Sequence, residues 1–91
     1  MINRKHYGIL VFESSSAASQ AEIKITEKNW TCRLIPIPEQ LSAGCGLVLQ
    51  LSMDDVKEIK AFITKEAISC EGIYEVIVSK ERKKTVSSWK Q

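Results

Sequence analysis

A chain of 91 residues buries only about 60–65% of its unfolded surface, which excludes a TIM barrel or a dinucleotide-binding fold. Hydrophobic residues at 44% and charged residues at 26% suit a folding domain and not a disordered or collagen-like chain. The net charge of +2 is uneven: after Val78, Lys80, Arg82, Lys83, Lys84 and Lys90 are set against Glu81 alone, so residues 1–78 are mildly acidic.

Residues 7–12, Tyr-Gly-Ile-Leu-Val-Phe, are apolar on both faces and predict a central strand covered by helices on one side and by something else on the other. Ser14, Ser15 and Ser16 suit the N-cap of a helix, because a hydroxyl oxygen accepts from unpaired N–H groups of the first turn. That helix is expected to run to about Lys28, with Ala18, Ala21 and Ile25 as a narrow core stripe. Residues 30–37 alternate around Cys32, Leu34 and Ile35. They end at Pro36 and Pro38, which donate no ladder bond, so this second strand belongs at an edge. Residues 47–51 predict a third strand. Ser52 with Asp55 resembles a capping box for a second helix whose Val56, Ile59, Phe62, Ile63 and Ala67 face the core. Gly72 then introduces the last strand, residues 73–78.

The order β-α-β-β-α-β predicts an α+β, ferredoxin-like domain over residues 1–78. It would be a four-stranded antiparallel sheet in spatial order 4-1-3-2 with two helices on one face. Residues 79–91, Trp89 included, read as a flexible basic C-terminal tail. This topology gathers residues 14–16, 38–46 and 67–72 at one end of the sheet. Cys45 and Cys70 share that end, while Cys32 and His6 lie at the other.

The run at residues 7–12 is too short and wrongly flanked for a signal peptide, and no stretch approaches a membrane span. Three cysteines, an odd number, fit reduced thiols and a cytoplasmic location better than a disulfide framework. The segment of residues 36–47 is the most distinctive, since two prolines stiffen its entry and Gly44 and Gly46 flank Cys45. Glycines on both sides expose the sulfur and let another backbone approach. A helix N-terminus at the same end would lower the thiol pKa through its dipole and free N–H groups. Ser42, Gly44, Gly46, Ser14, Ser15 and Ser16 are then the supporting groups around Cys45, with Cys70 a candidate resolving thiol. The alternative, Cys45 as a small apolar residue packed at the start of the third strand, stays open. For Cys32 and Cys70 packing is the simpler role.

Other chemistries lack their residues. A cysteine hydrolase needs a base beside the thiol, and the one histidine, His6, falls at the opposite end. Cys32, Cys45, Cys70 and His6 contain none of the close pairs that zinc sites use, so no metal or cofactor is expected. Asp54 and Asp55 read as acids of a first helical turn. Tyr7, Phe12 and Tyr74 lack the clustered aromatics and basic body of an RNA-binding sheet, and no nucleic-acid partner is expected.

Residues 34–38 (Leu-Ile-Pro-Ile-Pro), 42–47 (Ser-Ala-Gly-Cys-Gly-Leu) and 71–75 (Glu-Gly-Ile-Tyr-Glu) resemble the prokaryotic family named "Putative Se/S carrier protein-like", over roughly residues 7–76. The resemblance implies a carrier rather than a turnover enzyme. It would hold selenium or sulfur on Cys45 as a perselenide or persulfide, and its partners would be a donor and an acceptor protein. The chain departs from that pattern at Glu39, where an Arg often follows the second proline. The competing reading is a non-catalytic protein-interaction or small-ligand regulatory domain, with a homodimer formed through an exposed edge strand.

Overall fold

The computed structural model describes residues 5–38, 41, 46–68 and 70–89. The apolar run near the N-terminus becomes β1 (His6–Val11). It lies between β3 (Leu47–Ser52) and β4 (Gly72–Val78), antiparallel to both. β2 (Cys32–Pro36) pairs with β3 at one edge, and β5 (Lys84–Ser88) pairs with β4 at the other. The sheet order is β2-β3-β1-β4-β5. α1 (Ser15–Glu27) follows β1 and α2 (Val56–Lys65) follows β3.

The two faces of β1 sort its side chains by parity, because successive residues of a strand point to opposite sides. Leu10 joins Phe12, Leu49 and Leu51 in a cluster shared with Ala18, Ala21 and Ile25 of α1 and with Val56, Ile59 and Ile63 of α2. Both helices therefore cover the same face. The small stripe of α1 is buried as its spacing requires. Phe62 is half-buried at the rim, edge-on to Trp30 at 5.4 Å. On the opposite face Tyr7, Ile9, Val11, Val48 and Val76 form a second buried cluster, flanked by Ile35, Ile37, Leu41, Tyr74, Val78 and Val86. Ile37 and Leu41 belong to the segment that leaves β2, so that segment supplies part of the cover the second face needs.

Three sequence expectations are corrected. The first is the strand count: the sheet has five strands, not four, and the fifth lies in the segment read as a flexible tail. No apolar run announces β5. Val86 nonetheless packs on the second cluster, and Trp89 packs on the first, donating its backbone N–H to the Ile73 carbonyl at 2.9 Å. Lys60 Nζ sits 5.5 Å from the Trp89 ring, so the indole is covered by α2 as well as by the sheet.

The second correction concerns the start of α2. Ser52 ends β3, and its hydroxyl accepts from the Asp54 N–H at 3.3 Å, while Asp55 holds the N-cap position without a side-chain bond. The Ser52–Asp55 pair therefore shapes a turn, and Glu58 is the acid of the first helical turn. The third is Ala67, which is exposed beyond the helix with φ 55°. The Ile68 N–H reaches the Ile63 carbonyl at 2.9 Å and the Ala67 N–H reaches Thr64 at 3.2 Å, a Schellman closure that favours glycine in the left-handed position. Ala67→Gly is expected to raise stability by about 0.5–1 kcal/mol. A higher urea midpoint at unchanged slope is the readout, and an unchanged or lower midpoint contradicts it.

Candidate functional site

The end of the sheet where β1 finishes is built by register. Val11 pairs with Val48 on one side and with Gly72 on the other. Gly46 lies two residues before Val48, Cys70 two before Gly72, and Ser14 three after Val11. The structure therefore brings Ser14, Ser15, Ser16, Gly46 and Cys70 to one end. Cys45, Ser42 and Gly44 lie outside the described residues.

α1 begins here for the reason its serines suggest. Ser14 is extended (φ −148°, ψ 159°), and its Oγ accepts from the Ala17 N–H at 3.2 Å. No acid occupies the first turn of α1, so the positive end of the helix dipole is left without a carboxylate of its own. Ser15 and Ser16 are exposed.

The proline segment is closed at its base. Pro36 pairs with Leu47 as the last rung of β2 and β3, and the Ile37 N–H donates to the Gly46 carbonyl at 3.0 Å. Pro38 is buried, and its carbonyl accepts from the Leu41 N–H at 3.0 Å. Ile37, expected to end the second strand, lies beyond it and packs with Leu41 on the second cluster, and their apolar character amid Glu39, Gln40 and Ser42 is the readable sign of that anchoring. Gly46 is exposed, and a Cβ built on it meets no described atom within 4 Å. Its φ is not in the left-handed region, so neither conformation nor packing within the described chain requires a glycine there.

The two described thiols are both occupied. Cys70 S–H donates to the carbonyls of Val11 (3.4 Å) and Gly72 (3.3 Å), beside the Glu71 N–H that also reaches the Val11 carbonyl at 2.7 Å. Burial pushes the Cys70 thiol above the ordinary thiol range, and the Glu71 carboxylate acts in the same direction. Nothing in the sequence predicts the contact with Val11, which joins positions 59 residues apart, whereas the one with Gly72 is local. Cys32 lies toward the other end, opposite Leu51 in the ladder. Its thiol reaches the Glu22 carbonyl at 3.9 Å and exchanges a weak hydrogen bond with the Thr26 hydroxyl at 3.6 Å. Burial raises its pKa too. Thiols held in the neutral form are poor nucleophiles, since thiolate is the reacting species.

His6 stands at the start of β1, far from this end, and its Nε2 pairs with Oε2 of Glu75 across β4. It has no place beside Cys70 or Gly46.

Among known proteins, the family model described as "Putative Se/S carrier protein-like" matches residues 7–75. No curated protein and no solved structure matches the chain.

Proposed function

The chain belongs to the family named "Putative Se/S carrier protein-like", and from that premise we propose that Cys45 is a carrier thiol which takes sulfur or selenium from a donor protein and passes it to an acceptor. The observation that carries this reading is one of elimination. Cys32 and Cys70 are each engaged with carbonyls and pushed toward the protonated form by burial. Of the three thiols in the chain, Cys45 alone has a glycine on each side, a setting for an accessible thiolate. The absence of an acid from the first turn of α1 and the exposed Gly46 support it from the same end of the sheet. The order β4-β1-β3-β2 within the sheet, with both helices on one face, supports a ferredoxin-like assignment for residues 1–78.

The transfer step needs no external oxidant. The Cys45 thiolate attacks the outer chalcogen of a donor persulfide or perselenide, the donor's S–S or S–Se bond breaks, and the donor cysteine leaves as thiolate. Cys45 then bears the chalcogen, and its passage to the acceptor repeats the same exchange with the roles reversed. In this reading Ser42 and Gly44 belong to the supporting loop, and Cys70 is the candidate resolving thiol, which must first leave its carbonyl partners to react.

The test is alkylation of the native protein across pH, mapped cysteine by cysteine by mass spectrometry, followed by loading from glutathione persulfide. Cys45 should react first, with an apparent pKa below the unperturbed ~8.5, and should gain one sulfur. Cys32 and Cys70 should react only as the pH rises above the ordinary thiol range. If Cys45 reacts no faster than the other two and takes up no sulfur, the carrier reading falls and an interaction domain takes its place.

A further inference from the structure

The β4–β5 hairpin presents chemistry that a thiol carrier does not use. Its turn is fixed locally: Ser79 N–H donates to the Lys83 carbonyl at 2.9 Å, Arg82 N–H to the Ser79 carbonyl at 2.9 Å, and Ser79 Oγ accepts from Lys83 N–H at 3.2 Å. Lys80, Arg82, Lys83 and Lys84 are all exposed there against the single carboxylate of Glu81. Lys5 adjoins them, since its carbonyl accepts from the Val78 N–H at 2.8 Å. Nearby Glu75 is taken up by His6, and Asp54 and Asp55 lie beyond β1, at the end of β3. The basic tip thus stands at the opposite end of the sheet from Gly46 and Cys70.

β5 is also an edge, and its register shows which groups face outward. Trp89 N–H bonds the Ile73 carbonyl and Ser79 N–H bonds the Lys83 carbonyl. With Glu75 opposite Ser87 and Ile77 opposite Thr85, the hydrogen-bonded pairs alternate, as antiparallel ladders require. The N–H and C=O groups of Val86 and Ser88 therefore turn away from β4. The other edge, β2, carries Pro36 and offers no such donor at that position.

We propose that β5 is a docking edge for an acidic, extended segment of a partner protein, which adds a sixth strand while its carboxylates meet Lys80, Arg82, Lys83 and Lys84. Main-chain pairing supplies the affinity of such additions, and charge complementarity supplies register and rate. An acidic peptide fits better than a nucleic acid, because the sheet's aromatic rings stand away from the basic turn: Tyr7 is buried, and the partly buried Tyr74 and Trp89 lie at the other end of β4 and β5, packed against the two clusters. Among the described residues no exposed aromatic ring adjoins the cations.

The probe is the acetylated, amidated heptapeptide Glu-Glu-Thr-Val-Thr-Glu-Glu, titrated into the full chain and followed by amide chemical shifts. The expected result is salt-sensitive binding, with shifts concentrated in residues 82–89. The pair Lys80→Glu with Lys83→Glu should weaken it by about tenfold or more. Methylating alternate peptide amides of the probe should abolish binding, a control that leaves the protein unaltered. Cys45→Ser should leave binding unchanged, so failure here and failure of the carrier reading are separable. The proposal is overturned if residues 82–89 do not respond, or if the lysine counterpart of the peptide binds equally. Tighter binding of oligouridine at the same residues would overturn it in favour of RNA, and sedimentation as a dimer joined through β5 would overturn it in favour of a second copy.

Discussion

Cys45→Ser is expected to abolish sulfur and selenium loading while leaving the unfolding free energy within about 1 kcal/mol of the parent. Oxygen for sulfur hardly alters side-chain volume, so a site flanked by Gly44 and Gly46 should fold as before. It removes the one atom that can form a stable chalcogen–chalcogen bond. The comparison variants sharpen the result. Cys32→Ser and Cys70→Ser replace thiols that serve as weak donors to carbonyls, a task a hydroxyl performs, and both should still load. Loading is read by intact mass after glutathione persulfide treatment and stability by urea unfolding. A Cys45→Ser protein that gains sulfur as the parent does would remove Cys45 from the mechanism, and loss of loading in Cys70→Ser alone would move the carrier role to Cys70.

Gly8→Ala is expected to destabilise the fold by about 1–3 kcal/mol. Gly8 lies in the middle of the central strand, paired with Leu51 and Glu75, and a Cβ on it would stand 2.6 Å from Val56 Cγ2. Val56 is fully buried at the start of α2, so it has no room to retreat, and the helix must lift from the sheet. Val56→Ala in the same chain removes the colliding methyls. The double variant should then be less destabilised than the sum of the single ones, a coupling that a double-mutant cycle measures. Additive losses would mean that the helix does not approach β1 as closely as the structure places it.

Periodicity made most of the scaffold readable. Ala18, Ala21 and Ile25 in α1, Val56, Ile59 and Ile63 in α2, and the two-sided apolar run of β1 all occupy the core their spacing assigns. What escaped depends on pairings remote in sequence or on backbone conformation. β5 carries only Val86 as an inward apolar residue, and its order comes from β4 and from Trp89 reaching α2. Ala67 keeps the apolar spacing of the helix yet falls one turn too late, because the chain has already reversed hand there. At the site, Ser14 was legible as the cap of α1, while Cys45 and Gly44 lie outside the described residues. The engagement of Cys70 by Val11 was not legible, since it is a product of strand pairing.

The fifth strand also governs how the molecule behaves in a crowd. A chain cut after Val78 would leave Gly72–Val78 as the border of the sheet, with Ile73, Tyr74, Val76, Ile77 and Val78 along an unpaired row of amides. Such borders recruit one another. In the full chain the border is Lys84–Ser88, four of whose five side chains are polar and whose approach is flanked by cations. Loss of the thirteen residues after Val78, easily mistaken for dispensable, is thus expected to make the domain associate through its uncovered border before its chemistry could be assayed.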